Sequence, residues 1–229
     1  MKQHVTVGVV LARINFGEAD RIITVLTPHN GKIRLLAKGV RKIKSRLAGG
    51  IELLSINDMT YMEGKSGMGT LISSRLNKNY GNILKDVDRT MYAYEILKLF
   101  NKITEDYPEE AYFELLCDVL VGMNNLEVEI DILRLWVLVQ ILALAGHGIN
   151  LTVDARGGAL LPDTQFAFSI EDVAFTVSEQ GMFNESHIKI LRLAGRYSPS
   201  QLARIANIQD YLPALLQLVR AVTKQTMNI

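Results

Sequence analysis

The hydrophobic pattern of this chain changes period near residue 80, and that change limits the folds open to it. Up to Tyr80 apolar residues recur at every second position; from about Ile83 they recur at helical spacing. Val5, Val7, Val9 and Leu11 alternate with Thr6, Gly8, Val10 and Ala12, and Arg21 to Thr27 form a second β-rich run. Pro28-His29-Asn30-Gly31 reads as a hairpin turn, because Asn-Gly accepts the positive φ angles such turns need. A third strand covers Lys32 to Lys38. A fourth covers about Ile51 to Glu63, with Leu53, Ile56 and Tyr61 expected to point inward, and a fifth covers Thr70 to Tyr80. Gly64-Lys65-Ser66-Gly67 turns the chain between the last two. Five strands in about eighty residues, with a long connection after the third, predict a small OB-type barrel, and the long connection is where such a barrel can carry a helix. An SH3-like barrel is the alternative, since strand order is not visible in a sequence.

Beyond the barrel, Asp86 caps a helix carrying Val87, Met91, Tyr94, Leu97 and Phe100. Pro108-Glu109-Glu110 opens a second helix, its acids suited to the positive end of the helix dipole. A third helix, about Glu127 to Ala145, contains Trp136, is apolar on most faces and stops at Gly146-His147-Gly148, as the centre of a bundle would. The pattern breaks from about Ile149 to Gly181, where Phe166 to Ser169 and Ala174 to Val177 read as short strands. Helices resume near Asn184, with Ser198-Pro199 a further cap and a last helix over about Asp210 to Lys224. The expected fold class is α+β: an N-terminal five-stranded OB-type β-barrel over 1–80 and an all-helical domain over 81–229 with a small irregular or β insertion at about 149–181.

Charge is the second constraint. Formal net charge is +1, yet Lys32, Arg34, Lys38, Arg41, Lys42, Lys44 and Arg46 fall in one stretch that contains no acid. Lys32, Arg34, Leu36 and Lys38 share one face of a strand, with Ile33, Leu35 and Ala37 on the other. A strand with a basic front that opens into a basic loop suits a polyanion, most commonly nucleic acid. The plainer reading is a solvated edge strand on which lysine blocks aggregation. About five phosphate contacts to a single strand would give a log–log salt slope near −3.5. Phe16, Tyr61 and Tyr80 are the aromatic candidates for base stacking, and each also suits a core.

Little in the sequence argues for an enzyme. The cysteine, Cys117, lies in a helical apolar pattern and reads as a buried small hydrophobe. His4, His29, His147 and His187 do not cluster and lack metal-ligand spacing, so neither metal nor other cofactor is expected. Gly64-Lys65-Ser66 lacks the upstream glycine of a P-loop, with Met59 in its place. No secretory signal is read at the start, and Leu135 to Ala145 is too short to span a bilayer, so a soluble, cytoplasmic chain with no membrane partner is expected.

The segment Glu18-Ala19-Asp20-Arg21-Ile22-Ile23-Thr24-Val25-Leu26-Thr27, followed by Gly31-Lys32-Ile33-Arg34-Leu35-Leu36-Ala37-Lys38-Gly39-Val40-Arg41-Lys42-Ile43-Lys44-Ser45-Arg46, resembles the amino-terminal signature of the bacterial RecO recombination mediators. Gly146-His147-Gly148-Ile149-Asn150-Leu151 is similar to that family's helix end before its zinc-binding segment. The resemblance implies an OB barrel followed by a helical domain. It implies binding of single- and double-stranded DNA, annealing of complementary strands, and help in replacing single-strand-binding protein with the RecA recombinase. RecR and the acidic C-terminal tail of single-strand-binding protein are the implied partners, RecA an indirect one, in the nucleoid of a bacterial cytoplasm. By the same resemblance the seven cations from Lys32 to Arg46 carry DNA binding, while Glu18 and Asp20 shape a loop. The chain departs from the family where two Cys-x-x-Cys pairs are expected: Val153-Asp154-Ala155-Arg156 and Thr176-Val177-Ser178-Glu179 stand there, so no zinc is expected and Phe166, Phe168 and Phe175 packing is expected instead. Arg134 is the cation nominated for tail docking, against the plainer reading of a helix-surface arginine. Two readings stand beside this one: a scaffold whose basic patch docks an acidic partner tail, and an RNA-binding barrel.

Overall fold

A computed structural model describes residues 2–64, 67–104 and 110–228. It contains two compact units, Met1–Asn124 and Asn125–Ile229. Lys65 and Ser66 of the expected turn, and Pro108 and Glu109 of the expected helix start, lie outside the described residues.

The first unit opens with five strands: β1 (Gln3–Phe16), β2 (Asp20–Thr27), β3 (Gly31–Ala37), β4 (Ser55–Met62) and β5 (Met68–Asn79). They close into a barrel in the order β1-β2-β3-β5-β4, with β3 and β5 parallel and β4 returning antiparallel to β1. That order makes the barrel OB-type and leaves the SH3-like alternative behind. Alternation sets the interior: Val10, Ile23, Val25, Leu35, Ala37, Met59, Tyr61 and Leu71 form one buried cluster. A bulge between Val10 and Ala12 changes the register of β1 against β2. Gly31 takes φ +62°, as the Asn-Gly turn requires. Gly69 lets β5 approach, since a Cβ there would stand 2.8 Å from Leu35 Cδ2 and 3.0 Å from the Met62 carbonyl oxygen.

One barrel expectation changes. Ile56 does not share the inward face of Tyr61; Ser55, Asn57, Met59 and Tyr61 point inward, and Ile56 pairs with Val9 in the outer layer. The two residues are an odd number of positions apart, which places them on opposite faces. The long connection is a loop, as expected, with one 3₁₀ turn, Ala48–Gly50.

Helices α1 (Val87–Ile103) and α2 (Glu110–Asn124) complete this unit, with α1 against β1 and α2 against β2. The Asp86 carboxylate accepts from the Arg89 backbone N–H at 2.8 Å, as an N-cap should. The buried face of α1 is Tyr92, Ala93, Ile96, Leu97 and Phe100, while Val87, Met91 and Tyr94 of the expected stripe are exposed. Either stripe satisfies helical spacing; barrel contact selects between them.

The second unit holds α3 (Ile130–Leu144), the hairpin β6 (Phe166–Ser169) and β7 (Ala174–Val177), α4 (Glu185–Ala194), α5 (Pro199–Leu202) and α6 (Ile208–Met227). Helix α3 packs against α4, α5 and α6, and Trp136 Nε1 donates to the Tyr197 carbonyl at 2.8 Å. Asn184 and His187 form a capping box at the start of α4. In the insertion, Phe175 stands edge-on to Phe166, Phe168 and Phe183, with centroids 6.2, 5.0 and 5.6 Å away. The Asp154 carboxylate accepts from the N–H groups of Arg156 and Gly158 at 2.9 and 2.7 Å. Val153, Arg156, Thr176 and Glu179 stand at the ends of the two stretches where the family's cysteine pairs are expected, so these stretches do not fit a thiolate zinc site. The shape is carried by aromatic packing and a carboxylate-closed turn. Among the described residues no helix is long and apolar enough to cross a membrane, and no three His, Cys, Asp or Glu side chains converge.

Candidate nucleic-acid interface

The basic loop between β3 and β4 is held at both ends. At its start, Gly39 adopts φ +64° and donates its N–H to the Asp20 carboxylate at 2.7 Å, while the Arg41 N–H donates to the Ala19 carbonyl at 2.9 Å. Asp20 and Ala19 belong to the β1–β2 turn and its edge, so the loop is pinned to that turn. At its end, a Cβ on Gly50 would stand 2.6 Å from the Ser74 backbone, so only glycine fits, and the Ser74 hydroxyl donates to the Gly50 carbonyl. Val40 is buried and Leu47 packs against the same core. The span between them must therefore bulge outward, and Arg41, Lys42, Ile43, Lys44 and Arg46 are exposed. Ile43, at the tip, is fully exposed.

Six of the seven predicted cations share one condition. Arg34, Lys38, Arg41, Lys42, Lys44 and Arg46 are exposed, and among the described residues no carboxylate lies at ion-pair distance from any of them. Arg41 Nη1 donates to the Gly17 carbonyl at 3.3 Å, which steers the guanidinium along the β1–β2 turn. By contrast Arg13, outside the run, is paired with Glu52 at 2.7 Å.

Lys32 departs from the expected set. It is half-buried, and its Nζ donates to the Asn101 carbonyl at 2.6 Å. Asn101 is in the last turn of α1, whose carbonyls lack helical partners and attract a cation. Six residues of strand separate Lys32 from Lys38, about 20 Å at the usual rise. The two therefore stand at opposite ends of β3, and Lys32 serves the helix end.

Glu18 and Asp20 were expected to shape a loop, and Asp20 does so through Gly39. The aromatic candidates sort by burial. Tyr61 is 5 % exposed and stacked on His4 at 5.0 Å, and Tyr80 is 1 % exposed, so both are core. Phe16 is 51 % exposed beside the pinned loop. The Tyr80 hydroxyl is buried with no hydrogen-bond partner among the described residues, and burial pushes its pKa up to about 12. Cys117, nearby, is pushed up to about 11 for the same reason, which keeps its thiol protonated and unreactive at neutral pH.

Arg134 lies on α3 of the second unit, its Nη1 2.8 Å from the Asp131 carboxylate one turn earlier. A separate groove in that unit, about 270 Å³, is lined by Val139, Leu142, Ala143 and Leu151 with Arg192 and Arg196. Arg192 Nε and Nη2 donate to the Leu151 carbonyl at 2.9 and 2.5 Å, and Arg196 is exposed. Sequence reasoning missed this groove, because its walls come from α3, the insertion and α4, segments far apart in the chain.

Fold and site together define a class: an OB-type barrel with a pinned, uncompensated cationic loop, continued by a helical unit. The family model for the recombination protein O N terminal matches residues 1–80, and that for the recombination protein O C terminal matches 84–227. Over 173 residues the chain is 31 % identical to a DNA repair protein RecO of Halalkalibacterium halodurans, covering 75 % of this chain and 66 % of the relative. Over 222 residues it is 30 % identical to a DNA repair protein RecO of Bacillus pumilus, covering 94 % and 84 %. A third relative of that name, from Acetivibrio thermocellus, is 30 % identical over 176 residues, covering 76 % and 69 %. The chain belongs to the RecO family.

Proposed function

We propose that the chain is a non-enzymatic mediator of recombinational DNA repair. It binds single- and double-stranded DNA, anneals complementary strands, and assists loading of RecA onto DNA coated by single-strand-binding protein. The reading is supported by family membership and by one observation above the rest: Arg34, Lys38, Arg41, Lys42, Lys44 and Arg46 are exposed without a carboxylate partner among the described residues. Such charges bind phosphates by releasing condensed counterions, with no requirement for sequence. Annealing follows from the same physics. Cations between two strands reduce their repulsion, and holding both on one surface makes pairing effectively unimolecular.

Partner docking falls to the helical unit in this reading. The acidic tail of single-strand-binding protein takes a cation beside apolar surface, for which Arg134 and the groove bordered by Arg192 and Arg196 are the candidates. RecR is the second partner, and the work takes place in the bacterial cytoplasm at the nucleoid. Fluorescence anisotropy of labelled single-stranded DNA across a salt series tests the central claim. Affinity that falls steeply with salt supports it, and absence of binding at low salt refutes it.

A further inference from the structure

The tip of the basic loop is a closed turn with an apolar corner. The Ser45 N–H donates to the Lys42 carbonyl at 2.9 Å, which makes Lys42 to Ser45 a β-turn with Ile43 and Lys44 at its corner. The chain on either side of the turn is bonded too. The Lys42 N–H donates to the Gly39 carbonyl at 3.1 Å, and the Leu47 N–H donates to the Ser45 hydroxyl oxygen at 3.2 Å. Val40 is buried before the turn, and Leu47 packs against the barrel core after it. The tip therefore stands out from the barrel on two tied legs and holds Ile43 forward.

Isolated apolar side chains on a surface are ordinary. Three features set Ile43 apart. It is 104 % exposed, while the next large apolar side chains among the described residues, Val87 and Val5, are 78 and 77 % exposed. It occupies a turn corner, a place that usually goes to Gly, Pro, Asn, Asp or Ser. Lys42 and Lys44 flank it, with Arg41 and Arg46 two and three residues away, and among the described residues no carboxylate lies at ion-pair distance from any of the four.

A single apolar point inside a ring of cations suits few partners. An apolar protein groove gains nothing from the charges. A bilayer takes the cations at its headgroups, but its grip scales with buried apolar area, and one isoleucine supplies little. A duplex offers the match. Its base steps are flat and apolar, and phosphates run along both edges of a minor groove about 6 Å wide. The Cα atoms of Lys42 and Lys44 lie no more than about 7 Å apart, so two cations meet the two walls while the residue between them enters.

We infer that Ile43 is a wedge that enters a base step of duplex DNA, unstacks it and kinks the duplex, while Lys42 and Lys44 hold the phosphates on either side. The inference rests on the DNA-binding reading above and adds an act on the duplex that charge alone does not perform. Small apolar side chains unstack base steps in this way on minor-groove proteins generally. Burial of the Ile43 side chain offsets the stacking that is lost, so the wedge changes the shape of the DNA more than the affinity. Pyrimidine–purine steps unstack most easily, so a TA step is favoured over an A-tract. The side chain carries no charge, so the salt slope does not depend on it.

The test uses the full chain and short duplexes of one sequence, each with 2-aminopurine at a different adenine, one of them in a TA step. The wild type is expected to raise 2-aminopurine emission, most at the TA step, and to raise energy transfer between dyes on the two duplex ends as the DNA bends. In Ile43→Ala and Ile43→Gln both signals are expected to be lost, with duplex affinity within about tenfold of the wild type and the salt slope unchanged. Ile43→Met, apolar and of similar volume, is expected to keep both. Solvent surrounds the side chain, so the variants are expected to fold, and a thermal melt checks this. A wild type that binds duplex without raising emission at any position overturns the inference and leaves the cationic-loop reading standing, as does a rise that survives Ile43→Ala. A wild type that binds no duplex at low salt overturns both. Ile43-dependent binding to anionic vesicles, with no emission change on duplex, overturns it in favour of a lipid surface.

Discussion

Changing Lys38, Arg41 and Lys44 together to glutamine tests the loop as a counterion-release device. Six cations on this loop and strand lack a carboxylate partner among the described residues. If each meets one phosphate of a single strand, the log–log salt slope is about −4. Between 50 and 200 mM monovalent salt, affinity then falls by about 300-fold. The triple variant keeps Arg34, Lys42 and Arg46, so its slope drops to about −2 and the same salt change costs about 20-fold. The loop should survive, because its anchors are backbone groups: the Gly39 N–H on Asp20, the Arg41 N–H on Ala19, and Gly50 against Ser74. Anisotropy titrations at four or more salt concentrations read the slope directly, and a thermal melt controls for folding. A folded variant whose slope matches the wild type would refute the reasoning, since the deleted charges would then touch no phosphate.

Three further outcomes follow from the geometry. Tyr80→Phe removes a buried hydroxyl that has no partner among the described residues and should raise the unfolding free energy by up to about 1 kcal/mol in a urea titration; a loss of that size would show that the hydroxyl is hydrogen-bonded. Asp20→Ala leaves the Gly39 N–H without its carboxylate and should cost about 1–3 kcal/mol, with faster hydrogen exchange at the Gly39 amide; unchanged exchange would mean the turn does not hold the loop. His187 is buried between Phe183 and Tyr211, and burial lowers its pKa below the usual 6.5. The unfolded chain binds that proton more readily, so this contribution to stability is complete above pH 6.5 and is lost as pH falls from there through the lowered value. His187→Gln should flatten that part of a stability–pH profile, and an unaltered profile would locate the dependence elsewhere.

Local signals were legible where the chemistry is local. The Asn30-Gly31 turn, the Asp86 and Ser198 caps and the two short strands of the insertion all stand where residue type and spacing put them. Faces were less legible. Helix α1 has two stripes of apolar residues, and only contact with the barrel decides that Tyr92, Ala93, Ile96 and Phe100 are the buried ones. Ile56 and Tyr61 both look like core, yet one strand cannot send them to the same side. Phe16, Tyr61 and Tyr80 all suit either a core or a base-stacking surface. Exposure belongs to packing and not to residue type, and of the three only Phe16 faces solvent.

What the chain determined alone is what a few neighbouring residues can determine: the period of each element, the turns and caps between them, and a local excess of positive charge. Tertiary structure decided which of those charges act together. Closure of the barrel carried Lys32 to the end of α1 and left Lys38 beside the β1–β2 turn, although both belong to one run in the sequence. It also set the start of the basic loop against that turn, beside Phe16 at the end of another strand. A strand separates its two ends by its own length while pairing joins residues remote in sequence, so the composition of a site is a property of the sheet and not of the segment.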